Sequence, residues 1–465
     1  MTFNSLSFAL FLPVFLLLYY AVCSRQRLRD VLLLVGSYFF YMSWYWQYAG
    51  LIIISTVIDY FVGRRMHRAT SKKERKFLLL VSLCVNLGIL AVFKYYNFFI
   101  ESSHTAFAAL GFDIPIGYHQ LLLPVGISFY TFQTLSYTID IYRKQLEPEE
   151  SLIKFAVFVS FFPQLVAGPI VRAKDFLPQL SRPTFLSSEN FNAGLKLVFI
   201  GLFKKIIIAD LLAYLIVDEV FKDPSAFSSW DLLIGLYAYT FQIYCDFSGY
   251  SDIAIGVALM MGFKLAINFN RPYISQNPSD FWRRWHISLS TWLRDYLYIA
   301  LGGNRGSQWY VARNLVLTML LGGLWHGAAW NFVIWGAFHG LILVLTRNIV
   351  VEERFGVKMA LKIFINFHLV VFGWLLFRVS DVNNFTAYIT GLFEFSGGSA
   401  VSSLVYMLLL ASAFMHFVPK IWHENLIGRV IDHQGLWVRS TIYSLMLFVF
   451  IGASIGAPSF IYFQF

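Results

Sequence analysis

The chain has 465 residues, 58% of them hydrophobic and only 13% charged, with a formal net charge of +10. A water-soluble domain carries about a quarter charged residues, so this composition excludes an ordinary soluble enzyme and points to lipid contact. The positive balance does not indicate nucleic acid, because the basic residues sit in short loops between apolar runs.

Apolar runs cover Phe8–Val22 and Phe77–Phe93, then Phe155–Val166, Leu232–Tyr244, Leu361–Phe377 and Leu404–Phe417. A crossing helix needs about 20 mostly apolar residues, which several runs reach with their flanks. The pattern predicts an all-α polytopic membrane protein with about 11 to 13 embedded helices, re-entrant or interfacial segments included. The first run lacks a basic start and a small-residue cleavage site, so a retained helix is expected. Arg25, Arg27 and Arg29 form one basic loop, and Arg64, Arg65, Arg68, Lys72, Lys73, Arg75 and Lys76 another. The alternate loops, Ser43–Gly50 and Glu101–Gly117, hold no Lys or Arg, and nor does Ser380–Ala400. That alternation puts the basic loops in the cytoplasm and the N-terminus outside.

Cys23, Cys84 and Cys245 are scattered and imply neither a disulfide framework nor a metal cluster. No phosphate-binding glycine loop, dinucleotide fingerprint or HExxH segment occurs. With no linker or low-complexity stretch, residues 1–465 read as one membrane domain.

Between Pro124 and Gly340 polar residues enter apolar surroundings, among them Asp140, Arg172, Asp246, Asp252, Arg294, Asp295 and Asn304. Hydrocarbon offers such groups no partner, so a polar cavity or tunnel is expected. Phe281–Tyr298 (FWRRWHISLSTWLRDYLY) has its apolar residues at helical spacing, with Arg283, Arg284 and Arg294 on the other side. It reads as one helix lying near, or re-entering from, the cytoplasmic interface. His286 at the edge of its apolar stripe serves either a local hydrogen bond or chemistry.

Leu321–Gly340 (LGGLWHGAAWNFVIWGAFHG) holds His326 and His339 among glycines and tryptophans, with no charged residue. Gly322, Gly323 and Gly327 allow a ligand or another backbone to come close to His326. Neutral imidazole is the usual general base near pH 7. In a single helix, thirteen residues would turn His339 roughly 220° away from His326. One catalytic and one structural histidine are then expected. A tightly packed helix crossing with hydrogen-bonded histidines is the alternative. The spacing of the histidines recommends no metal. Lys264–Arg347 carries Lys264 and seven arginines against only Asp280 and Asp295. This balance suits an anionic acyl donor and, equally, inner-leaflet topology.

The segments FWRRWHISLSTWLRDYLYIALGGNRG and GGLWHGAAWNFVIWGAFHG together resemble the membrane-bound O-acyltransferase superfamily. The branch is the bacterial one containing the alginate O-acetyltransferase membrane subunit and the teichoic acid D-alanyl transfer protein. LPVGISFYTFQTLSYTIDIYR, FFPQLVAGPIVR and YCDFSGYSDIAIG are similar to the same branch, so the resemblance covers about residues 120–340. It implies a ring of helices around a central tunnel. It also implies that His326, in the WHG motif, is catalytic and that His286, in RWHISLS, is the second histidine. The C-terminal PSFIYFQF makes Tyr462 either an acyl carrier or an aromatic interface anchor. The expected donor is acetyl-CoA, with no bound cofactor, and the expected substrate contacts are Arg283, Arg284, Trp285, Asn304 and Trp325. Implied partners are membrane lipid, a periplasmic or extracellular acetyltransferase and a polysaccharide acceptor, in a bacterial inner membrane with both termini outside. D-alanyl transfer to teichoic acid and peptidoglycan O-acetylation are alternatives within the superfamily. A non-catalytic transporter would be expected to show repeat symmetry, and none is visible.

Overall fold

The structure is a computed structural model and describes residues 1–112, 122–166, 168–185, 187–395, 397–419, 421–422 and 428–454. Its regular structure is helical throughout, with no strand among the described residues. A helix satisfies its own backbone groups, which hydrocarbon cannot do. Four helical stretches are long and apolar enough to cross a membrane: Trp46–Arg68, Lys72–Ala109, Val357–Arg378 and Leu436–Ala453. Leu6–Val22, Trp330–Thr346 and Ser403–Phe417 are shorter apolar helices. Their exposed side chains include Leu17, Phe61, Leu345 and Phe448, each at least 60% accessible, as lipid-facing surfaces require. Tyr462 lies outside the described residues.

The chain forms two compact units, Met1–Leu195 with Ala254–Ala266, and Lys196–Ile253 with Ile267–Phe465. In the first, the helices Ala49–Arg68, Lys72–Leu90 and Ile127–Tyr142 meet around a buried polar knot. Ser82 Oγ and Asn86 Nδ2 donate to the two Asp59 carboxylate oxygens at 2.6 and 2.8 Å. Ser55 and Thr134 donate to Asn86 Oδ1. Polar groups of this kind join helices where apolar burial gives no driving force. Two arginines of the basic loops are buried rather than solvated. Arg29 donates to the carbonyls of Leu180 and Arg182, and Arg75 to those of Met66, Ile141 and Tyr142. Both satisfy carbonyls that helix ends leave open.

In the second unit the core is aromatic, with Trp285, Trp335, Trp374, Tyr239, Tyr273 and Tyr388 fully buried. Here the expectation of a continuous helix over Phe281–Tyr298 is corrected. Asn277 caps and Pro278 opens a short helix, Pro278–Trp282, that stops before His286. His286 adopts φ 42° and ψ 56°, and a new helix runs Ile287–Trp292 before a π-helical turn, Leu293–Tyr298. The break has a cause outside the segment. Asn270 N–H donates to the Arg284 carbonyl and Ile287 N–H to the Asn268 carbonyl, both at 2.9 Å. Those bonds replace helical ones.

Candidate active site

Leu321–Gly340 is likewise two helices rather than one. Gln308–His326 ends at the first histidine, and Trp330–Thr346 folds back along it. Glycine permits this backbone-to-backbone packing. A Cβ at Gly323 would overlap the Phe332 carbonyl oxygen, and one at Gly336 would lie 2.5 Å from the Met319 oxygen. Gly323→Ala should therefore destabilise the protein by about 1–3 kcal/mol through overpacking. Gly322→Ala meets only the flexible end of Leu293 at 3.2 Å and should be mild. Detergent-extracted yield and melting of the two variants compare them directly.

The hairpin overturns the expectation that His326 and His339 face apart. Both rings pack on Trp335, with centroids 5.1 and 4.6 Å from its indole. His326 is 4% exposed and is also in edge contact with Trp325 at 5.2 Å and Phe377 at 5.4 Å. Asn331 Nδ2 donates to the Phe377 carbonyl at 2.8 Å, which ties the hairpin to the Val357–Arg378 helix beside His326. His339 is wedged among Phe281, Trp282, Trp335 and Phe338, and only the missing side chain at Gly373 makes room for it. Neither ring nitrogen of His339 has a hydrogen-bond partner among the described residues.

His286 is fully buried and lies 5.8 Å from Trp325, so one indole separates it from His326. Its tautomer follows from its neighbours. The Ser288 backbone N–H and hydroxyl donate to Asn268 Oδ1, which must therefore be the amide oxygen. His286 Nδ1, 3.1 Å from that same oxygen, is then the protonated nitrogen. The lone pair belongs to Nε2, as proton acceptance requires. Asn268 Nδ2 in turn donates to Ser251 at 3.2 Å, which orients the amide. Periodicity along the chain missed Asn268, because its partners are 17 to 20 residues away. Asn268→Ala would remove the acceptor that the Ser288 and His286 groups share, at about 1–3 kcal/mol for each bond lost. Acyl transfer in membranes should fall about tenfold or more, while Asn268→Asp, which keeps an acceptor, should lose less.

The other expected substrate contacts scatter. Trp325 lies between the two histidines. Trp285 is buried in the core against Phe269, Phe281 and Trp374. The Arg283 side chain is 64% exposed, and Arg284 pairs with Asp280 at 3.0 Å. Asn304 is exposed and accepts from the Tyr298 hydroxyl at 2.6 Å. The structure brings together His286, Trp325, His326 and Trp335, with Arg283 and Asn304 exposed and Arg284 half-buried in its pair with Asp280.

Residues 148–380, half of the chain, match the model of the membrane-bound O-acyltransferase family. The chain belongs to that family. It is 48% identical over 377 residues to the "Probable alginate O-acetylase AlgI" of Pseudomonas aeruginosa, covering 80% of this chain and 71% of that protein. It is 34% identical to the peptidoglycan O-acetyltransferase of Helicobacter pylori over 97% of this chain and 88% of the other. With the teichoic acid D-alanyltransferase of Bacillus subtilis it shares 30% identity over 56% of this chain and 69% of that protein. The chain is thus a membrane O-acyltransferase of the bacterial branch that the sequence motifs resemble. The family match begins and ends later than the motif-rich stretch 120–340.

Proposed function

We propose that this chain takes acetyl from acetyl-CoA at the cytoplasmic face and passes it through the membrane for O-acetylation of an exopolysaccharide of the alginate kind. Residues 1–465 act as one membrane domain in a bacterial inner membrane, with a tunnel leading to His326 and the N-terminus outside. The observation that carries the reading is the buried pair of His326 and His286 on either side of Trp325, the second held with its lone pair on Nε2. Two buried imidazoles suit acyl transfer, in which a hydroxyl oxygen attacks the thioester carbonyl and loses its proton to a base. The coenzyme A thiolate leaves and takes up a proton. His326 is the base, and His286 handles or positions a second proton. The alginate O-acetylase relatives support acetyl as the group and a polysaccharide as the acceptor. Arg283 and Arg284 are candidates for the donor phosphates, with Trp285, Asn304 and Trp325 as further substrate contacts. The final acceptor step uses Tyr462 as carrier or a periplasmic or extracellular acetyltransferase partner.

The peptidoglycan O-acetyltransferase relative, aligned over 97% of this chain, favours a second acceptor class. Both are tested with membranes holding the full chain, labelled acetyl-CoA, and either alginate-type polysaccharide or peptidoglycan outside. Label appearing in the polysaccharide supports the proposal. Label only in peptidoglycan moves the acceptor, and label in neither, with D-alanyl transfer from a carrier protein instead, overturns it.

A further inference from the structure

One exposed face of the Ala49–Arg68 helix changes character along its length. Ile54, Val57 and Phe61 are exposed apolar residues at helical spacing, and Arg65 and Arg68 continue the same face. Where the face turns cationic there is a cavity of about 710 Å³, lined by Phe61, Arg64, Arg65, Arg68 and Glu74. Three guanidinium groups against one carboxylate leave the cavity with a net positive charge.

The three arginines differ in what holds them. Arg65 pairs with Glu74 at 3.3 Å on the open surface. Arg64 Nη1 donates to the Tyr60 hydroxyl at 2.7 Å, and its guanidinium stacks over that ring. Tyr60 is itself buried and donates to the Glu150 carbonyl, so Arg64 is pre-positioned. Arg68 has no hydrogen-bond or ion-pair partner among the described residues. A cation held in place beside an unpaired one, at the end of a membrane-spanning helix, is an arrangement that phosphate satisfies with charge-assisted bonds. The apolar stripe above it is what acyl chains cover.

We infer that this cavity binds an anionic phospholipid, with its phosphate on Arg64 and Arg68 and its chains along Phe61, Val57 and Ile54. The site lies apart from the histidine cluster in sequence and needs no step of the acyl transfer. Lipid is therefore a specific ligand here and not only the solvent of the fold.

The test uses the full chain in nanodiscs of mixed phosphatidylethanolamine and phosphatidylglycerol, with the retained lipid read by native mass spectrometry. Wild type should retain phosphatidylglycerol well above its share of the disc. Arg64→Gln/Arg68→Gln should lower that preference roughly thirtyfold, as expected for losing two interfacial cations, and Arg68→Gln alone should lower it in part. Arg25→Gln/Arg27→Gln removes the same charge from another basic loop and should leave the preference intact. If that control falls as far as the cavity variants, retention follows the general field and the proposal fails. No preference in wild type overturns it as well. Inorganic phosphate is added in a separate arm. Displacement of the lipid signal by phosphate at millimolar levels, or phosphate binding without any lipid preference, would make the ligand a soluble phosphate and overturn the lipid assignment.

Discussion

Replacing His326 with alanine should abolish acyl transfer, lowering the rate by about 10²–10⁴-fold while the protein still folds and inserts. The magnitude is that of removing a positioned general base. The fold should survive because the helix hairpin that His326 closes has anchors of its own. Gly327 follows it, and the hairpin is secured by Gly323, Gly336 and the Asn331 bond to the Phe377 carbonyl. The ring contacts with Trp325, Trp335 and Phe377 are lost, and the smaller side chain leaves a modest cavity in their place. Label transfer from acetyl-CoA in membranes, normalised to detergent-extracted protein, measures the effect. His339→Phe provides the comparison: it keeps a ring against Trp335 and Trp282 and should leave most of the activity. Equal losses in the two variants would remove the distinction between a catalytic and a packing histidine. Retention of more than a tenth of the activity by His326→Ala would pass the role of base to His286.

Helical class and apolar runs are readable from the chain because each depends on local signals, whereas the two motif histidines stand out only through the family resemblance. Hydrophobic periodicity predicts helices wherever a helix continues. It fails at His286 and at Gly327, where the chain stops being helical for reasons set elsewhere. Asn268 and Asn270 take the backbone partners of residues 284–287, and Phe332 and Met319 occupy the space that the glycines vacate. The same limit applies to the polar residues of the middle region. Read along the chain they all imply a tunnel, yet Asp246 pairs with Lys205, Asp252 with Lys204 and Asp280 with Arg284. Part of the polarity between Pro124 and Gly340 therefore holds helices to one another. Trp335, which both His326 and His339 touch, carries no signal of its own in a run already rich in tryptophan.

Lys205→Met should be the most damaging single change to stability, at about 3–5 kcal/mol, because it leaves two carboxylates buried without their cation. Lys205 Nζ lies 2.7 Å from Asp210 and 2.6 Å from Asp246, and none of the three side chains is more than 4% exposed. Two local features assemble this cluster. In an α-helix five residues would turn Asp210 about 140° away from Lys205. The Phe203–Asp210 segment is π-helical, and its i to i+5 spacing brings the pair onto one side. Gly201 and Gly249 supply the second feature. A Cβ on either would lie 2.5 to 2.7 Å from the other's carbonyl oxygen, so their helices touch backbone to backbone. Asp246, one turn before Gly249, then comes within reach of Lys205, one turn beyond Gly201. Melting of the detergent-solubilised protein, followed by size-exclusion profile, gives the loss. Lys205→Met combined with Asp210→Asn and Asp246→Asn removes the cation and both charges together, and should recover most of it. A single variant as stable as wild type would mean that the cluster is not the ion pair described. A triple variant no better than the single would mean that the lysine's packing, not its charge, is what the helices need.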